Sequence, residues 1–293
     1  MLRRQRTILK LLSTAGGSLS ATQVQKLLFL LRQETFLRSD SAFYEFLPYK
    51  FGPYSFAANR EIEALVAYGY VLEASSGASK NLTVTSSGKK EGNDVEGDVG
   101  RAILATFSRY GQLTLRGLMK DVYGRYPWYA CNSEAKDLVP EGTPKPKTAP
   151  AAVYTMGYED RSIDGFFEKL LRAGIRRVID VRSNPVSRKY GFARSSMSTI
   201  AGKVGLEYVH RPELGITSEK RKGVESSSDF QRLFGHYERE ILPTKGDEID
   251  DVAALMKARP SVLVCMEKEA VDCHRSRLAT RVAAVTGLRT VHL

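Results

Sequence analysis

Apolar positions in the first 125 residues repeat with two different periods. Over residues 5–15 and 22–34 they fall three and four apart. In the second run Val24, Leu27, Leu28 and Leu31 make one stripe, preceded by Ser20 and Thr22 as caps. The spacing predicts two helices. Residues 43–55, in contrast, are an aromatic-rich extended stretch closed by the turn pair Gly52-Pro53. Ile62, Leu65 and Val66 define the inner face of a third helix over Asn59–Tyr68, which Gly69 is placed to end. Residues 70–73 and 82–85 read as two strands joined by a Gly/Ser loop. Two more helices follow within residues 96–125, the second over Leu113–Tyr123.

The second half has another rhythm. Residues 153–158 form an apolar strand ending in a Gly turn, and a helix over Ser162–Ala173 follows with Ile163, Phe166, Phe167, Leu170 and Leu171 inward. Arg177–Val181 is the next strand. Strand, helix, strand at this spacing is a βαβ unit of a parallel sheet. A helix over Ser196–Val204 leads to a strand over Leu206–His210, and a charged segment runs to about Ser228. Helices over Asp229–Ile241 and Ile249–Arg259 precede a short buried strand at Val262–Val264, and a helix over Ser276–Thr286 and a strand over Thr290–Leu293 close the chain. Between the halves, residues 139–150 hold four prolines, which makes an extended, semi-rigid linker. Three domain-level segments result: residues 1–138, mainly helical, with helices before a two-stranded wing in the order of a winged helix-turn-helix; the linker 139–150; and residues 151–293, a Rossmann-like α/β domain with a mainly parallel sheet.

Composition narrows the function. The net charge is +11, with 20 basic and 14 acidic residues up to position 150 and 24 and 19 after it, so the excess is shared by both halves. Such a surface favours polyanions. Three cysteines are too few for a disulfide framework and fit a reducing cytoplasm. The basic-apolar N-terminus is interrupted by Lys10 and reads as an amphipathic helix, not a signal peptide. No apolar run approaches the ~20 residues of a membrane span.

In the first half, Arg60 on the third helix and Lys80, Lys89 and Lys90 on the wing are the candidate nucleic-acid contacts. Glu61 and Glu63 beside Arg60 weaken base reading, so a protein-interaction or dimerisation module stands beside DNA binding. The pair Tyr126 and Tyr129 around Trp128 can stack bases or pin a chain segment against the domain. Residues 25–34 and 49–71, with the turn Phe51-Gly52-Pro53-Tyr54-Ser55 before a helix, resemble the helical domains of Panacea-type antitoxins.

In the second half, polar residues collect at the carboxyl ends of predicted strands: Gly157-Tyr158, Asp180 and Arg182, His210, and Cys265 and Glu267. Parallel strands would open all four loops on one edge, where open α/β sheets bind ligands. Four motifs stand there: Thr155-x-Gly157-Tyr158, Asp180-Val181-Arg182-Ser183-x-Pro185-x-Ser187, Tyr208-x-His210-x-Pro212-x-Leu214-Gly215, and Cys265-x-Glu267 with Cys273-His274-Arg275. Together they resemble the bacterial domain-of-unknown-function family 488. That resemblance implies a fold and a site but no reaction. Its usual second glycine after Leu-Gly is replaced here by Ile216.

The candidate catalytic residues are Glu267, Asp180, His210 and Cys273. The candidate ligand and phosphate contacts are Arg182, Ser187, Arg188, Tyr158, His274 and Arg275. Arginine forks grip phosphate oxygens, and amides opening the last helix add to them. Asp180 could equally be a fold-holding partner of Arg182 or Arg275. Cys273, at a helix start, is the better activated thiol, and Cys265 the packing one. The Asp-Val-Arg turn resembles that of rhodaneses, but the Cys-x5-Arg loop of tyrosine phosphatases is absent, since Val271 and Ala279 stand where arginine should. Zinc ligation by Cys265, Cys273, His274 and His210 matches no common spacing, so no metal site is assigned and no cofactor named. The expectation is a nucleotide- or nucleic-acid-processing enzyme, cleaving or transferring at a glycosidic or phosphodiester bond, delivered by the first domain. The alternative is a ligand-sensing DNA-binding regulator or antitoxin-like partner. Expected partners are nucleic acid, chiefly DNA, and a phosphate-bearing ligand, with a second copy of the chain as a further candidate.

Overall fold

The computed structural model describes residues 1–77, 79–95, 97–224 and 226–293, without the side chains of Ser76, Ser79 and Ser227. The chain divides into two compact units, Met1–Lys145 and Pro146–Leu293, and the division falls inside the proline-rich run.

The first unit begins with α1 (Arg3–Thr14), a short strand β1 (Ser18–Ser20) and α2 (Ala21–Glu34). Ser20 caps α2 through a reciprocal pair with Gln23, which satisfies two of the orphan amides at its start. The aromatic stretch folds into a small hairpin, β2 (Leu47–Tyr49) and β3 (Gly52–Tyr54), whose Ser55 caps α3 (Phe56–Ala67). Strands β4 (Val71–Ser76) and β5 (Ser79–Val84) follow, and β1 joins them in an antiparallel sheet of order β1-β5-β4. Helices α4 (Ser86–Asn93), α5 (Gly97–Tyr110) and α6 (Leu115–Arg125) complete the unit. Strand β1 and helix α4 are too short for periodicity to reveal. As a result Lys89 and Lys90, expected on the wing, stand on α4, and only Lys80 is on a strand of the β4–β5 hairpin. Phe29 of α2 receives the edges of Tyr126 and Tyr129 at 5.0 and 4.7 Å between ring centroids, so the aromatic cluster pins the chain to the helix.

The second unit is a five-stranded, wholly parallel sheet. Its strands are β6 (Val153–Gly157), β7 (Arg177–Asp180), β8 (Glu207–His210), β9 (Ser261–Cys265) and β10 (Thr290–His292), in the order β10-β6-β9-β7-β8. The intervening helices are α7 (Ile163–Ala173), α8 (Arg194–Lys203), α9 (Ser227–His236, continuing as a π-helical turn Tyr237–Ile241), α10 (Gly246–Ala258) and α11 (His274–Thr286). Val153, Ile179, Val181 and Leu263 share one core with residues of α9, α10 and α11, among them Phe234, Val252, Leu278 and Val282. The alternate strand residues Tyr154, Met156, Val178, Val262 and Val264 are equally buried, so the other sheet face is covered too, as a parallel sheet requires. Gly157 pairs with Cys265, and Asp180 pairs with both Val264 and His210. This register sets the four strand ends level along one edge. Among the described residues no helix is long and apolar enough to cross a membrane.

Candidate active site

Central strand β9 delivers the site. All five of its residues are buried, and it ends at Cys265. Neighbouring β6 ends at Gly157, where the amides of Tyr158 and Glu159 both donate to the Met266 carbonyl, at 3.1 and 3.0 Å. A Cβ on Gly157 would stand 1.8 Å from the Glu267 carbonyl oxygen, so only glycine lets the two chain segments come this close. Gly215 plays the same part against β7, since a Cβ there would lie 2.2 Å from the Ser183 nitrogen. The loop after β9 is gripped from the helix side as well. Arg275 donates to the carbonyls of Glu267 and Lys268 at 2.5 and 2.9 Å.

These contacts hold Glu267 between two thiols. Cys265 and Cys273 each donate to its Oε2, at 3.0 and 2.8 Å. Its Oε1 accepts from Arg221 at 2.9 Å. Burial by itself would raise the Glu267 pKa. The thiol hydrogen bonds and the Arg221 guanidinium overcome it and hold the carboxyl at about 2. Cys273 is the N-cap of α11, yet burial pushes its thiol well above the ordinary value, and neighbouring His274 only partly opposes that. The activated thiol expected at this helix start is therefore corrected: desolvation outweighs the helix terminus.

His274 is buried, and its two ring nitrogens have different partners. Nε2 lies 3.3 Å from the Val181 carbonyl, whereas Nδ1 faces Cys265 Sγ at 3.7 Å, Cys273 Sγ at 3.9 Å and Arg221 at 3.4 Å. Tyr237, from the π-helical turn, packs edge-on against this ring with centroids 5.4 Å apart and donates to the Leu214 carbonyl at 2.6 Å. Ligand atoms of Cys265, Glu267, Cys273 and His274 all lie within 4.8 Å of one another, a grouping able to hold a metal ion.

An open cavity of about 160 Å³ lies over this group, walled by Tyr158, Arg182, Ser183, Asn184, Ser218 and Arg221, with Cys265, Glu267 and His274. Ile216 adds an apolar wall. Tyr158 and Arg182 thus reach the cavity. Asp180 does not line it. Its carboxylate is fully buried and accepts from Arg182 Nε at 2.8 Å, Arg182 Nη2 at 2.5 Å and Tyr208 at 2.6 Å. Arg182 also donates to the Tyr158 hydroxyl and to the Phe192 carbonyl, both at 2.9 Å. Asp180 and Arg182 therefore form the fold-holding pair that was the alternative to an acid–base role.

His210 turns its Nε2 to the Arg182 carbonyl at 2.8 Å and is absent from both the thiol group and the cavity wall. In the grouping of possible metal ligands, Glu267 stands where the unassigned sequence set had His210. Ser187 hydrogen-bonds Tyr158, and Arg188 is exposed. Arg275 is spent on the loop carbonyls and does not face the cavity. In the first unit Arg60, Lys89 and Lys90 are exposed, and Lys80 pairs with Glu73 at 2.7 Å. Sequence reasoning missed Arg221, because its segment, with a single 3₁₀ turn at Glu219–Arg221, has no periodicity to place it.

Residues 162–282 match the family model described as "Domain of unknown function DUF488". The match contains Asp180, Arg182, His210 and the Cys265–Arg275 stretch. It lies wholly within the second unit and gives no support to the winged-helix or antitoxin-like resemblance of the first. No curated protein matches the chain.

Proposed function

We propose that the second unit is an enzyme acting on a nucleotide or nucleic acid, cleaving or transferring at a glycosidic or phosphodiester bond, with the cavity as its reaction site. One observation carries this reading. Glu267 and Arg221 meet at 2.9 Å in the wall of an open cavity of mixed polar and apolar lining at the carboxyl ends of the strands. A guanidinium offers a fork to phosphate oxygens. A carboxyl held at about 2 is ionised at neutral pH, so Glu267 serves as base or charge stabiliser and not as general acid. The cavity is smaller than the ~300–1,000 Å³ usual for sites that enclose a whole ligand. It suits one base or one phosphate of a longer molecule, whose remainder would lie over exposed Val186, Arg188 and Tyr190.

The first unit, in this proposal, supplies nucleic-acid affinity as a winged-helix-like module. The element order α1-β1-α2-β2-β3-α3-β4-β5, with helices before the β4–β5 hairpin, supports that reading, as do exposed Arg60, Lys80, Lys89 and Lys90. A second reading, a DNA-binding regulator that holds a nucleotide-like effector in the cavity, is favoured by the mutual neutralisation of Asp180 and Arg182. That pairing leaves few groups free to react.

Labelled DNA, RNA and free nucleotides, incubated with the full chain and with Glu267→Gln, separate the two. Product that disappears in the variant supports the enzyme. Binding without product in either protein supports the regulator. Neither binding nor product with any of the three sinks both. Changing Lys80, Lys89 and Lys90 together to Glu should abolish a mobility shift, and an undiminished shift removes these lysines from the interface.

A further inference from the structure

We propose that Cys265, Cys273, His274 and Glu267 form a zinc site, with the two thiolates and His274 Nδ1 as fixed ligands and Glu267 Oε2 as the replaceable fourth. The inference does not depend on which substrate the cavity takes.

The donor set argues for the metal. Two sulfurs, one imidazole nitrogen and one carboxylate oxygen suit zinc, while magnesium and calcium take oxygen ligands. Ordinary zinc bond lengths in a tetrahedron set ligand–ligand edges of about 3.5–3.8 Å. Nδ1 stands 3.7 and 3.9 Å from the two sulfurs. Oε2 stands nearer them, at 3.0 and 2.8 Å, because thiol protons now bridge each pair. Exchanging those protons for a cation asks the carboxylate to withdraw by roughly 0.5–1 Å. The exchange balances without redox chemistry: each thiol gives its proton to solvent and its electron pair to the cation.

Independent contacts fix the histidine in the ligating form. The Val181 carbonyl can only accept, so Nε2 must carry the ring proton. Arg221 can only donate, so Nδ1 must present its single lone pair on the side that faces the guanidinium and the two thiols; a cation that takes this lone pair displaces the Arg221 contact, and Arg221 keeps its bond to Oε1. An outer partner of this kind on the distal ring nitrogen is a regular feature of metal-bound histidine. Arg221 likewise holds Oε1, which leaves Oε2 to the sulfurs. Two thiolates and one carboxylate around a dication leave one net negative charge, and Arg221 is the cation in contact with it.

The four ligands are not equally enclosed. Cys265, Cys273 and His274 are 2% exposed or less, while the Glu267 side chain is 18% exposed and lines the cavity. Glu267 is therefore the ligand that a group entering the cavity would replace. Three protein ligands and one exchangeable position are the pattern of catalytic zinc.

The test needs no substrate. The full chain, purified under reductant without chelator and supplied with zinc, should carry one equivalent by elemental analysis. Cys265→Ser and Cys273→Ser should each lower the stoichiometry at least tenfold, while Cys131→Ser should not. Glu267→Gln should still carry one equivalent of zinc, since two thiolates and an imidazole remain to hold it. Cobalt(II) in place of zinc should give thiolate-to-cobalt charge-transfer bands and the intense visible bands of a tetrahedral ion. This reads ligation directly in the unmutated chain, even where a cysteine variant fails to fold. Absence of those bands overturns the site, as does full zinc retention in both folded cysteine variants. A Cys265–Cys273 disulfide that persists in reductant and takes up no metal overturns it too.

Discussion

Asp180→Asn removes one charge from an ion pair that has almost no contact with solvent, its side chains being 0% and 7% exposed. The carboxylate accepts from the Arg182 amide at 3.1 Å, its Nε at 2.8 Å, its Nη2 at 2.5 Å and the Tyr208 hydroxyl at 2.6 Å. An asparagine keeps one accepting oxygen and turns an NH₂ toward donors, so one of the two donor sets loses its partner. Arg182 is left buried without a counter-charge. Breaking a buried pair in this way costs about 3–5 kcal/mol. With a urea slope of about 2 kcal/mol per molar, the midpoint of the second unit falls by about 2 M. Two probes on the full chain isolate the effect. The single tryptophan, Trp128, belongs to the first unit, and far-ultraviolet ellipticity reports both units. The ellipticity transition should move or split while the tryptophan transition stays in place. A variant within about 1 kcal/mol of wild type that has nevertheless lost the activity proposed above would refute the reasoning and return Asp180 to the reacting groups.

Lys26 of α2 is buried, donates to the Pro53 carbonyl at 3.0 Å, and is lowered by that burial from 10.5 to about 7. The unfolded chain therefore binds one more proton between those two values, so stability rises with pH from about 7 to about 10.5 and is lower and level below. The gap corresponds to about 5 kcal/mol. Lys26→Met should flatten this slope, and thermal midpoints that run parallel for the two proteins over that range would disprove it. Gly157→Ala would drive a methyl group into the Glu267 carbonyl, at a cost of about 1–3 kcal/mol. Hydrogen exchange at Tyr158 and Glu159, whose amides hold the Met266 carbonyl, should accelerate, and unchanged protection there would show that the loop is not held as described.

Much of the second unit was legible in the sequence, because its α-helices and central strands, unlike its 3₁₀ turns, are long or apolar enough to carry their own period. The level strand ends followed from parallel connection alone. The pairing of roles at the edge did not. Along the chain Asp180 and Arg182 read equally as two functional groups or as a fold-holding pair, and their 2.5 Å separation decides for the pair. Cys273 read as an activated thiol because a helix start is visible in sequence and full burial is not. Lys89 and Lys90 were assigned to a wing because eight residues of α4, two of them glycine, give no helical stripe.

The parallel α/β unit, its division from the first unit within the proline-rich run, and the presence of Cys265, Glu267, Cys273 and His274 at one strand–helix junction are all readable along the chain. Local spacing and hydrophobic period are enough for that. That Glu267 sits between both thiols, that His274 turns Nδ1 toward them, and that Arg221, from 46 residues earlier, holds the other carboxylate oxygen are relations found in the folded chain alone. Those relations depend on the angles at which β6, β7 and β9 pack and on two glycines that let backbones touch, and no period along the chain records either.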